Sequence, residues 1–232
     1  MKKITTPLFF LIVGFAGAFL ALHLFSSKYI EKFLIEGRSE LAPIQLTEVR
    51  EITIKENDAI VDAIEKVSRS VIGVKSLTSQ GSGVIISSDG LAITLAEFIP
   101  TGSSFSFHIN GKSIPYEIKK RDLAKNLVLV KVEGNGLPTL EFSDDGSLRP
   151  GERVFLVGSL FDSRGAITKS VNEGIIKRVE GGKIITNIEE EALLNGSILF
   201  DIKGRVLGIN SVTSDGKVVS IPISTIREFA GL

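Results

Sequence analysis

Cysteine is absent from this sequence, histidine occurs only at positions 23 and 108, and neither sign of charge is in excess. Without cysteine there is no disulfide, no thiolate metal site and no thiol nucleophile, although the absence does not identify a compartment. Basic and acidic residues number 27 each, for a formal charge of zero. A polyanion-binding protein carries a basic excess, so no nucleic-acid partner is expected. Two histidines leave very few positions for imidazole-based catalysis. What is present is a chain of 232 residues, 43% apolar and 23% charged. That composition describes a mostly globular protein, with room for one large domain or two small ones beyond a membrane segment.

Lys2 and Lys3 precede a stretch, Ile4–Ser27, that contains no charged residue, and Pro7–Phe25 is almost wholly apolar. Nineteen helical residues span roughly 28 Å, close to the roughly 30 Å of a bilayer core. A cleaved signal peptide is the alternative, but the apolar run exceeds a signal-peptide core and Phe25-Ser26-Ser27 offers no A-x-A-like cleavage site. We therefore expect residues 1–27 to be a single-pass anchor that meets the lipid through residues 4–26. The positive-inside rule keeps the two lysines in the cytoplasm and places Lys28 onward outside it. His23, near the outer end, reads as an interfacial polar residue. No other charge precedes Lys28, which leaves 25 basic and 27 acidic residues beyond, a net charge of −2. That part has no electrostatic pull toward anionic lipid.

Residues 28–56 read as a stalk, ended by Gly37 and Pro43, and 57–232 as the folded domain. Glu56–Ser68 is amphipathic, with Ala59, Ile60, Ala63, Ile64 and Val67 on one face and Asn57 or Asp58 as the cap. From Val71 short β-branched runs alternate with turn residues, among them Asp89-Gly90, Asn110-Gly111 and Asp215-Gly216. Such spacing predicts an all-β sandwich or pair of barrels, in halves of about 70–135 and 151–222. Residues 223–230 read as a closing helix.

Several segments carry a resemblance. Gly81-Ser82-Gly83-Val84-Ile85-Ile86, Asp89-Gly90-Leu91-Ala92-Ile93-Thr94 and Arg121-Asp122 before Leu127-Val128-Leu129-Val130-Lys131-Val132 recur in one order. Leu148-Arg149-Pro150-Gly151-Glu152-Arg153-Val154, Gly158-Ser159-Leu160-Phe161, Gly204-Arg205-Val206-Leu207-Gly208-Ile209-Asn210 and Ile221-Pro222 complete it. Together they resemble the HtrA/Deg branch of the trypsin-like serine proteases. The resemblance implies two six-stranded antiparallel β-barrels with an active site in the cleft between them. Active members of that family are commonly trimers with a peptide-binding PDZ domain, and we expect no PDZ domain in this chain.

A serine protease needs a nucleophilic hydroxyl, an imidazole to take its proton and a carboxylate to orient the imidazole. On the matching positions stand Glu97, Asn126 and Asn195. Leu193 falls on the glycine that shapes the family's oxyanion hole, and its bulk resists the conformations glycine adopts easily. Loss of a whole triad costs on the order of 10⁶ in rate. We thus expect no catalytic residues, no cofactor and no metal. Ser197 and a Ser–Lys dyad remain as alternatives, although no short motif marks a dyad. Asn195-Gly196 is a turn or a deamidation site. Glu189-Glu190-Glu191 is a solvated loop or an oxygen-ligand cluster for Ca²⁺ or Mg²⁺. Phe105, Phe107, Phe155 and Phe161 read as core, with a partner-facing Phe161 as the alternative. The expected function is that of an inactive protease-like module. It would bind unfolded or extended peptide segments or an active protease relative, with self-association open. A rearranged endopeptidase and a structural subunit of an envelope assembly are the other readings.

Overall fold

The structure is a computed structural model that describes residues 14–24, 58–102, 104–144 and 148–232. The chain falls into two units, Met1–Thr53 and Ile54–Leu232. In the first, residues 14–24 are helical and exposed. Among the described residues no helix is long and apolar enough to cross a membrane. Most of the expected anchor (1–27) and the stalk (28–56) lie outside the described residues.

The second unit is almost entirely antiparallel sheet. Its first half has seven strands: β1 (Val71–Ser76), β2 (Gln80–Ile85), β3 (Leu91–Leu95), β4 (Phe105–Ile109), β5 (Lys112–Ile114), β6 (Tyr116–Asp122) and β7 (Leu127–Val132). They pair in the order β5-β4-β1-β2-β3-β7-β6. Its second half is a closed six-stranded barrel of β8 (Arg153–Phe161), β9 (Ile167–Glu180), β10 (Lys183–Glu189), β11 (Ile198–Asp201), β12 (Val206–Val212) and β13 (Lys217–Pro222).

The expectation of two six-stranded antiparallel barrels is therefore corrected for the first half, which is a seven-stranded sheet without a closing ladder. One residue, Pro115, separates β5 from β6, the two ends of the sheet order. A proline has no N–H to donate and breaks a ladder. The sheet is thus rolled with its two ends joined by the chain itself, and no ladder of hydrogen bonds seals the seam. Asn110-Gly111 makes the β4–β5 turn with positive φ at both residues, 48° and 79°, the signature of a type I′ hairpin.

The strands at the junction of the halves are buried on both faces. Along β8, Val154 and Leu156 enter the core of the second barrel. Phe155 and Val157 point the other way, into a cluster shared with the first half that includes Ile72, Ile85, Leu95 and Phe98. Along β11, Ile198 and Phe200 face the shared cluster and Leu199 the barrel. Period-two side chains that are buried either way read as continuous apolar runs.

The helix at residues 58–68 buries Ile60, Ala63 and Val67 but leaves Ala59 exposed. Val67 and Ala63 lie against Gly204, in the β11–β12 turn of the second barrel. The C-terminal helix Ile223–Ala230 buries Ile223, Ile226 and Phe229 and stops at Gly231 in the left-handed conformation. Lys120, on β6 of the first half, donates to the Phe229 carbonyl oxygen at 2.8 Å.

Candidate functional site

Leu95 pairs with Leu127 in the β3–β7 ladder, so Glu97, just after one strand, and Asn126, just before the other, meet at one corner. Glu97 sits in a 3₁₀ turn, Ala96–Phe98. The two side chains interlock: the Glu97 N–H donates to Asn126 Oδ1 at 3.1 Å, and Asn126 Nδ2 donates to Glu97 Oε2 at 3.2 Å. The Ala96 N–H bonds to the Asn126 carbonyl at 3.1 Å. Asn126 has φ of 53°, a left-handed conformation that asparagine tolerates better than most residues. An amide can donate and accept at once, whereas a carboxylate only accepts. This corner is therefore held together without an imidazole.

Asn195 belongs to a separate arrangement. Ala192–Leu194 forms a 3₁₀ turn, and the Asn195 N–H closes it on the Ala192 carbonyl at 3.1 Å. Asn195 and Gly196 then make a type II turn, with φ of −53° and 77° and a bond from the Ser197 N–H to the Leu194 carbonyl at 3.0 Å. A Cβ on Gly196 would lie 2.3 Å from the Ser82 carbonyl oxygen, so glycine is required there twice over, by φ and by space. Asn195 Oδ1 accepts the Val212 N–H at 2.5 Å. Succinimide formation would need the Gly196 nitrogen, which instead donates to the Asn210 carbonyl at 2.8 Å. Asn195-Gly196 is a fixed turn.

The Asn195 side chain makes its bond to Val212, away from the Glu97–Asn126 pair. The two corners share a border at Gly81, where an added Cβ would meet both the Phe98 ring and the Asn195 carbonyl oxygen. Leu193 is 44% exposed. The Asn195 N–H is bonded within its own turn, to the Ala192 carbonyl. Ser197, the alternative nucleophile, is fully buried, and its Oγ accepts from Asn210 Nδ2 at 3.0 Å. Asn210 Oδ1 in turn accepts from Ser220 Oγ.

Sequence reasoning missed a polar seam between the halves. The Ser82 N–H donates to the Asn195 carbonyl at 3.1 Å, and the Ser159 N–H donates to Ser82 Oγ at 2.8 Å. Lys169 Nζ donates to Ser159 Oγ at 2.9 Å and also to the Val71 carbonyl of β1. Burial lowers the Lys169 ammonium to a pKa of about 8, although part of its side chain reaches solvent. This is a Ser–Lys pair, but Ser159 has no exposed surface. In Ile167-Thr168-Lys169-Ser170 nothing distinguishes Lys169 from an outward strand residue, so only the fold reveals it.

His108 lies edge-on to Phe161 with ring centroids 5.2 Å apart, and its Nε2 is 2.9 Å from Ser106 Oγ. Burial, then the charge of Lys75, pulls its pKa below the usual imidazole value. Phe161 is buried, its ring tip occupying the space a Cβ on Gly73 would take. Glu190 accepts from Asn172 Nδ2 at 2.7 Å. Among the described residues no three histidines or carboxylates converge as a cation site. A cavity of about 620 Å³, lined by Arg149, Arg153, Lys203, Arg205, Glu152 and Asp201, shares no residue with the corners described above.

A profile of the trypsin-like peptidase domain matches residues 81–209, more than half of the chain, and the chain belongs to that family. Within it the similarities fall in the HtrA/Deg-like branch. Serine protease HTRA1A of Danio rerio is 29% identical over 196 residues, which are 73% of this chain and 40% of that protein. A probable periplasmic serine endoprotease DegP-like of Pseudomonas putida is 30% identical over 138 residues, 57% of this chain and 29% of its own. Serine protease HTR4 of Rattus norvegicus is 31% identical over 196 residues, 73% and 39% respectively. The chain thus spans 40% or less of each of these relatives.

Proposed function

We propose that residues 57–232 form a protease-like module without peptidase activity, which binds extended or unfolded peptide segments or an active protease relative. Residues 4–26 anchor it in a membrane, with the N-terminus in the cytoplasm and the module outside. The observation that carries this reading is the wiring of the three triad positions. Glu97 and Asn126 satisfy each other, and Asn195 is committed at both its N–H and its side-chain oxygen. No imidazole stands at any of them. A nucleophile, a base and an oxyanion pocket would all have to be rebuilt.

One observation speaks for the rearranged endopeptidase, the Lys169–Ser159 contact at 2.9 Å. A depressed ammonium is what a Ser–Lys mechanism needs. Ser159 is inaccessible, however, and its own N–H is bonded to Ser82 Oγ. We therefore keep the binding reading. It is tested with the full chain in detergent micelles and fluorescein-labelled casein, reading anisotropy and fragment release together. The expected result is binding without fragments. Fragment release that disappears in Asn195→Ala, Ser197→Ala or Ser159→Ala would overturn it.

A further inference from the structure

Beyond Ile198 the chain of β11 continues backward beside β12 as Ser197, Gly196 and Asn195. The Asn210 N–H donates to the Ser197 carbonyl and the Gly196 N–H to the Asn210 carbonyl, each at 2.8 Å. On its other side β12 pairs with β13 in the register Asn210↔Ser220, Ser211↔Val219, Val212↔Val218. Backbone groups of successive residues in an antiparallel strand point alternately to the two neighbours. Asn210 faces the 196–197 side, so Ser211 faces β13 and Val212 faces away from it again. At Val212 the neighbouring backbone has run out, because the chain turns at Asn195 and Gly196. A side-chain amide replaces it: Asn195 Oδ1 takes the Val212 N–H at 2.5 Å. A primary amide carries the same carbonyl acceptor as a peptide group, so the ladder is lengthened by one rung that is not backbone.

An extended ligand adding to this edge of β12 would need the Val212 N–H as its first anchor. We propose that Asn195 is the built-in occupant of that anchor, a gate that an extended peptide displaces when it adds to the ladder beyond Gly196, at the Val212 end of β12. The proposal rests on the peptide-binding reading above and adds the place and the competitor. It also accounts for asparagine at this position: alanine reaches nothing, and serine is one carbon too short to make the same bond.

The test uses the full chain, fluorescein-labelled oxidised insulin B chain as the extended probe, and hydrogen exchange at the Val212 amide. In Asn195→Ala the Val212 amide should exchange faster and the probe should bind about fivefold tighter, the size of one uncompensated hydrogen bond. Asn195→Asp keeps an acceptor and should keep Val212 exchange slow. If Asn195→Ala does not fold, Asn195→Ser takes its place. Equal probe affinity in wild type and Asn195→Ala overturns the gate and leaves peptide binding standing. Absence of probe binding in both proteins removes the peptide reading and the gate with it. Unchanged Val212 exchange in Asn195→Ala also overturns the gate, whatever the affinities.

Discussion

In the second half, six strands hydrogen-bond around a full circle, and three of them, β8, β11 and β12, bury side chains on both faces. In the first half, β6 is largely exposed, and the sheet ends meet through Pro115 and the packing of Tyr116 on Phe105 and Phe107, with no ladder between them. The difference shows where the fold keeps its rigidity. The strands that face the other half are mainly apolar, broken by the buried Ser82–Ser159 contact of the polar seam, whereas β6 carries Glu117 and Lys119 in water. The triad positions follow the same division. Asn195 is set by turns against the closed barrel, and Glu97 and Asn126 by a side-chain pair at the rim of the rolled sheet.

Four substitutions would break or sharpen this contrast. The largest effect is expected from Phe200→Ala, because Phe200 is fully buried and stacked on Phe155 with ring centroids 5.3 Å apart. The loss should be about 3–5 kcal/mol by urea unfolding. A value near that of an exposed residue would mean that the shared core does not hold the halves together. Next is Gly196→Ala, which forces a left-handed alanine against the Ser82 carbonyl. It should cost about 1–3 kcal/mol in the same measurement. Asn126→Asp would face Glu97 with a second carboxylate and lose the Nδ2 donor. A loss of about 1 kcal/mol at pH 7 is expected, shrinking in high salt as the repulsion is screened. A salt-independent loss would show that repulsion is not its cause.

Lys169 supplies the smallest and most diagnostic effect, because much of its side chain is exposed and solvent screens the charge. Its pKa falls from the usual 10.5 to about 8 on folding. Between those values the unfolded chain holds more protons at this site than the folded one, so this group adds stability as pH rises through that window. The wild-type melting temperature should therefore gain on that of Lys169→Met between pH 8 and 10.5. A constant difference across the window would mean that the ammonium is not desolvated.

The sequence made the strands of the junction legible, because residues buried on two faces leave unbroken runs such as Val154-Phe155-Leu156-Val157. Motif order points to positions 97, 126 and 195, of which the fold brings Glu97 and Asn126 into contact. The seam at Pro115 was hidden inside one apparent run, Lys112 to Lys120, since a strand that bends from one sheet edge to the other keeps its local pattern. Asn195 read as a turn residue, but its bond to Val212 depends on the register of β12 seventeen residues on. Lys169 gave no signal, because alternation in a strand cannot say that a gap between two halves lies beneath a polar position.

The two helices that bracket the domain are crossed. The one that enters ahead of the rolled sheet rests on Gly204 of the closed barrel, and the one that leaves after the closed barrel is tied to Lys120 of the rolled sheet. A cut in the connection between β7 and β8 would give two fragments, each carrying a helix that also touches the other. Neither would be complete alone, yet mixed they should find each other, and a tug on either end of the chain is felt in both halves.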